Sequence, residues 1–178
     1  PYTTLFRSRE AGARAVERAE DEAQRTRLWQ GRKKAFGAMG RIAPDLLVQD
    51  ATVPRTRLPQ VLREIMEIGD RYGLRVGNVF HAGDGNLHPK ILFDRRDPDE
   101  LERVERASRE MMEVCVAAGG TITGEHGVGL DKLKYMTLVH GPHELQAMRD
   151  VRDAFDPSGL FNPGKVVPEP DAATSERS

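Results

Sequence analysis

Two apolar runs, Arg75 to His81 and Leu87 to Asp94, stand either side of Ala82-Gly83-Asp84-Gly85-Asn86. Asp-Gly between such runs is a strong hairpin signal, so the runs fold back as neighbouring antiparallel strands. If Asp84 and Gly85 form a two-residue type I′ turn, His81 stands opposite His88 and both imidazoles share one face of the sheet. Directly opposed Cβ atoms lie about 4.5–5.5 Å apart, close enough for two ring nitrogens to meet on one metal ion or one small polar substrate. Gly83 and Gly85 leave room for that approach.

The segments around this hairpin complete a pattern. Asp45 to Val53 reads as a strand, which Pro54 stops. A helix follows from about Arg57 to Tyr72, with Leu58, Val61, Leu62, Ile65 and Ile68 at helical spacing. Asp97-Pro98-Asp99-Glu100 is a helix start, and Leu101, Val104, Met111, Met112 and Cys115 share one face before Gly119-Gly120. Thr121 to Thr123 is a short strand. The order is α+β: a ferredoxin-like split β-α-β-β-α-β antiparallel sheet with both helices on one face. Helices are added at both ends. Residues 9 to 36, rich in Ala, Glu and Arg, predict one long helix ended by Gly37 and Gly40. Asp131 to Val139 and Pro142 to Phe155 predict two more, with a turn at Asp156 to Gly159. The polar residues 169–178 predict a disordered tail.

A chain of 178 residues suits one domain with its own core. With 27 Lys and Arg against 28 Asp and Glu, the net charge of −1 offers no field for a nucleic-acid backbone. The apolar stretches, such as Val76 to Phe80, fall far short of the ~20 residues of a transmembrane segment, and no signal-like segment opens the chain. A single cysteine, Cys115, on an apolar helix face, reads as core and is compatible with a reducing compartment. The expected location is cytoplasmic. Residues 1 to 8 differ in character from the charged helical segment after them and are given no function.

A third histidine, His126, comes directly after Glu125 in Gly124-Glu125-His126-Gly127. Neighbours on a straight strand point to opposite faces, so both reach one site only if the backbone turns between them, which the flanking glycines favour. If it does, His81, His88 and Glu125 make a three-ligand set for a divalent metal (Zn, Mn or Fe), open as catalytic sites are. His126 then stands beside the metal, free to act as a general base. The plainer reading makes the histidines polar residues at a hairpin mouth and Glu125 a solvated loop residue. Arg32 shares a helical stripe with Trp29, Lys33 and Phe36; its planar fork suits a substrate carboxylate held beside packed rings, against the alternative of a surface arginine. His140 and His143 flank Pro142 and read as capping residues.

Three segments together resemble the C-terminal domain of FAD-linked 2-hydroxyacid oxidases: Gly77 to Pro89, Thr123 to Gly129, and Phe155 to Lys165. Leu28 to Phe36 and Pro44 to Arg55 look most like the glycolate oxidase D-subunit branch. The resemblance covers residues 9–168 as a cap and substrate domain, and implies that an N-terminal FAD-binding domain is absent from this chain. It implies FAD and a divalent metal as cofactors, with His81, His88 and Glu125 as metal ligands and His126 as the base. It implies Arg32 on the substrate carboxylate and Asn162 near the flavin. Phe36, Val48 and Lys90 stand where some relatives carry substrate-contacting polar residues, which disfavours larger diacids and leaves glycolate or D-lactate. Partner subunits of a glycolate oxidase complex, and peripheral placement at the inner membrane face through them, are further implications. The competing readings are a non-catalytic metal-binding module and a metal-dependent hydrolase.

Overall fold

The structure, a computed structural model, describes residues 7–170, which form two compact units dividing after Arg41. In the first unit, helix α1 (Glu22–Met39) starts at Asp21, whose carboxylate accepts the backbone N–H of Gln24 at 2.7 Å. The long helix expected from residue 9 is therefore shorter at its start. Gly12 takes φ +84°, and the chain becomes helical again only where Asp21 supplies a cap. Gly37 lies inside α1, and Gly40 caps it. Trp29 and Phe36 are exposed, so they are not the packed support expected beside Arg32.

The second unit contains β1 (Asp45–Val48), β2 (Ala51–Thr52), α2 (Leu58–Arg71), β3 (Arg75–Asn78), β4 (Asn86–Leu87), β5 (Pro89–Phe93) and α3 (Pro98–Ala117), then α4 (Met136–Val139) and α5 (Pro142–Phe155). β1 and β3 both pair antiparallel with β5, and β2 pairs antiparallel with β4. Asp45 opposes Phe93 and Thr52 opposes Asn86, so β1-β2 and β4-β5 keep one register across a break. The break falls at Gln49-Asp50 opposite His88-Pro89, bridged by the Gln49 N–H to the Pro89 carbonyl at 2.9 Å. The continuous strand expected at 45–53 is thus interrupted at Asp50. Thr121 exchanges two backbone hydrogen bonds with Thr52, so the last expected strand is a single bridge. Reading across, the order is Thr121, β1-β2, β4-β5, β3, the order of a split β-α-β-β-α-β sheet. The fold is α+β.

Alternation along the strands sends Ala51, Leu87, Ile91 and Phe93 to one face, where they join Val61, Ile65 and Ile68 of α2 and Val104, Ala107, Met111, Met112 and Cys115 of α3. Each fully buried large side chain contributes about 1.5–3 kcal/mol, so these few residues dominate stability. The helix starts follow the sequence: Asp97 caps α3 by accepting from the N–H groups of Asp99 and Glu100, and Pro98 occupies its first turn. The helix expected at 131–139 is instead a 3-10 turn (Leu133–Tyr135) followed by α4. Residues three apart eclipse in that tighter helix, which suits Lys132 and Tyr135, both buried. Among the described residues no helix is long and apolar enough to cross a membrane. The expected tail disorder lies, from residue 171 onward, outside the described residues.

A candidate metal and acid–base site

The face of the sheet away from α2 and α3 carries, by the same alternation, Asp50 and Thr52 on one strand and Asn86 and His88 on the next. The hairpin beside them differs from the expected turn. His81 pairs with Asn86 rather than with His88, through N–H to carbonyl bonds of 2.9 and 3.3 Å. The loop therefore spans residues 82–85, Asp84 keeps negative φ, and only Gly85 takes the left-handed region at +72°. A Cβ on Gly85 would also lie 2.1 Å from the Val53 carbonyl oxygen, so the close approach of β2 requires glycine there. The register has slipped by two residues. An even slip preserves the face, so His81 sits diagonal to His88 and the imidazoles still meet, with ring centroids 5.5 Å apart at 85°.

Glu125 and His126 arrive from the far side of β2. The turn at Thr123–Gly127 packs so closely on the sheet that a Cβ on Gly124 would lie 2.4 Å from Thr52 Oγ1 and 2.6 Å from Asn86 Oδ1. Glu125 Oε1 lies 2.9 Å from His88 Nε2, 3.7 Å from His81 Nε2 and 3.8 Å from His126 Nε2. The rings of His88 and His126 stack at 4.9 Å and 13°. His88 is the buried anchor, its side chain 8% exposed, whereas His81, His126 and Glu125 are each about half exposed.

One ligand atom from each of His81, His88 and Glu125 falls within 4.8 Å of the others, a spacing and an N/O donor set that fit a divalent cation such as zinc. Burial lowers the His88 pKa, with the Asp50 and Glu125 carboxylates pulling the other way, so its imidazole is neutral at pH 7, as a ligand must be. His88 Nδ1 is buried without a hydrogen-bond partner, and Asp50 Oδ1 lies 3.8 Å from it.

Two residues here escaped the sequence reading. Asp50 is fully buried; its carboxylate accepts from Thr123 Oγ1 (2.8 Å), from the backbone N–H groups of Gly124 (3.0 Å), Glu125 (3.2 Å) and His126 (2.9 Å), and from Lys132 Nζ (3.0 Å). Burial alone would raise its pKa, but these donors hold it well below the usual carboxylate range. A bare buried carboxylate costs several kcal/mol, and hydrogen bonds to a charged group contribute about 1.5–3 kcal/mol each, so the set of donors offsets the cost. Lys132 also donates to the Asp50 carbonyl at 2.7 Å. The one sequence signal was a charged residue interrupting the apolar strand at Asp45 to Val53.

Arg32 lies on α1, in the other unit, and its side chain is outside the described structure. Asn162 is exposed with φ 47°, its Oδ1 accepting from Lys165 Nζ at 3.3 Å. Four residues on, the Val166 N–H donates to the Gly129 carbonyl at 3.0 Å, returning the chain to the loop after His126. A groove of about 780 Å³ opens between that loop and α3, lined by Gln49, Ser108, His126, Lys132, Tyr135 and Lys165 among others. It touches the four-residue cluster only at His126. Cys115 is core, as expected, and burial pushes its thiol up to about 12.

Residues 5–166 match the family model for FAD linked oxidases, C-terminal domain. This chain belongs to that family. The domain is 51% identical over 158 residues to glycolate oxidase subunit GlcD of Escherichia coli K12, an alignment covering 89% of this chain and 32% of that protein. It is 39% identical over 174 residues to the GlcD subunit of Bacillus subtilis, covering 93% of this chain and 37% of the relative. It is 34% identical over 152 residues to the mitochondrial D-lactate dehydrogenase (cytochrome) of Arabidopsis thaliana, covering 84% and 27%. This FAD-linked oxidase domain thus spans about a third of the length of the curated relatives it matches.

Proposed function

We propose that this chain is the substrate-binding C-terminal part of an FAD-dependent oxidoreductase that converts a small 2-hydroxy acid, glycolate or D-lactate, to the 2-oxo acid. The observation that carries the reading is the meeting of His81, His88 and Glu125 with His126 at their side. The names of the relatives, glycolate oxidase subunit and D-lactate dehydrogenase, support the substrate class.

His81, His88 and Glu125 would hold a divalent cation. His126, half exposed and not needed as a ligand, would take the proton of the substrate hydroxyl at an imidazole nitrogen. Arg32 is assigned the substrate carboxylate on the sequence resemblance alone. When bound, the cation supplies a Lewis acid for the hydroxyl oxygen and FAD supplies the two-electron acceptor. The backbone N–H groups at Gly124 to His126, which could otherwise receive a phosphate, are filled by the Asp50 carboxylate. FAD would therefore be held mainly by a separate domain of the full-length protein, with Asn162 as this domain's contribution. Companion subunits of a glycolate oxidase complex, a cytoplasmic location and attachment to the inner membrane face through those subunits belong to the same proposal.

The test is His126→Ala in the full-length protein. Turnover of glycolate and D-lactate should fall by about 10²–10⁴ while FAD stays bound, the range for losing a general base. Unchanged turnover removes His126 from the chemistry. Ester or amide hydrolysis by this chain with Zn²⁺ and no flavin would favour a hydrolase instead.

A further inference from the structure

We propose that Asp50 is the positioning residue of this site: its carboxylate holds the Thr123–Gly127 turn so that Glu125 and His126, adjacent in sequence, both face His81 and His88. The inference rests on the metal reading above and names the group that makes the ligand geometry possible.

Successive residues on extended backbone point to opposite sides, so presenting two neighbouring side chains to one site requires a bent backbone whose N–H groups turn inward. Three consecutive N–H groups, of Gly124, Glu125 and His126, do so, and all three converge on Asp50 together with the Thr123 hydroxyl. Such a concave run of donors is a nest for an anion. Here the anion belongs to the neighbouring strand, which fixes the turn relative to the sheet. The shared register puts Asp50 opposite His88, with its second oxygen 3.8 Å from the partnerless Nδ1. A carboxylate behind a ligating imidazole orients the ring and raises its basicity. Lys132 anchors Asp50 in turn, through both its carboxylate and its carbonyl. One side chain thereby touches the turn bearing Glu125 and His126 and stands behind His88. Fully buried, Asp50 acts on the site through these groups.

The experiment compares the full 178-residue chain with Asp50→Asn and with Asp50→Asn/Lys132→Met, reading amide hydrogen exchange without metal and Zn²⁺ binding by titration calorimetry. In Asp50→Asn, exchange at Gly124, Glu125 and His126 should accelerate about tenfold relative to the amides of α2, and Zn²⁺ affinity should fall about 10–100-fold. The double variant removes the stranded ammonium and should recover thermal stability while recovering neither readout. Should the single variant not fold, the double variant supplies both readouts. Unchanged protection at those three amides overturns the proposal. So does recovery of Zn²⁺ affinity in the double variant, which would reduce Asp50 to a counter-ion for Lys132. If the unaltered chain binds no Zn²⁺, the metal reading fails, and the exchange comparison alone decides the role of Asp50.

Discussion

On the face covered by α2 and α3, Leu87, Ile91 and Phe93 enter a core shared by many interchangeable apolar partners, whereas the same stretch of chain turns Asn86 and His88 to a face held by specific polar contacts, among them the five donors on the Asp50 carboxylate. Non-directional burial tolerates the loss of one contact at a cost proportional to volume. Directional contacts do not. The apolar face therefore governs whether the domain folds, and the polar face governs what the folded domain can hold. Substitutions should separate the two properties.

The largest effect is expected from Ile65→Ala, which empties a fully buried position on α2. It should cost about 2–5 kcal/mol in denaturant unfolding while Zn²⁺ affinity stays within a few-fold; a comparable loss of affinity would erase the contrast between faces. Glu125→Gln reverses the pattern, lowering Zn²⁺ affinity about a hundredfold or more with a melting temperature near that of the unaltered chain. A large stability loss there would make Glu125 a structural residue. Gly85→Ala tests the seam between the faces, since the new methyl meets the Val53 carbonyl in a left-handed conformation. It should cost about 1–3 kcal/mol and loosen the histidine hairpin as well, visible as weakened Zn²⁺ binding.

The smallest effect is a pH dependence confined to the apolar face. The Cys115 thiol is raised from 9.0 to about 12 in the folded state, so its contribution is complete below pH 9 and is lost as pH rises through about 12. At pH 10 the unaltered chain should have lost about 1.4 kcal/mol relative to pH 7, a loss that Cys115→Ala does not show. Parallel alkaline profiles for the two chains would contradict the burial of that thiol.

Much of the architecture was readable from residues with local consequences. Asp97-Pro98 stops and starts backbone by its own chemistry, and the spacing of Val61, Ile65 and Ile68 needs no partner to announce a helix. The start of α1 was not readable, because helix-favouring composition continues upstream of Asp21 and only the cap distinguishes the boundary. The hairpin turn was misassigned by two residues, since Gly85 follows the demands of Val53 on another strand rather than the preference of Asp84-Gly85 alone. Asp50 was missed for a related reason. A lone acidic residue in a strand says nothing of donors more than seventy positions away.

The alternation that puts His81 and His88 on one face is written in the order of residues, because side-chain period two survives any even slip of register. That order also determined the α+β layering, through apolar spacing that no rearrangement of loops could change. That Glu125 and His126 reach those histidines together depends on the folded sheet, because the bend between them is held by a carboxylate on another strand. Hydrogen bonds of that kind depend on distance in space, which the chain acquires when the sheet closes.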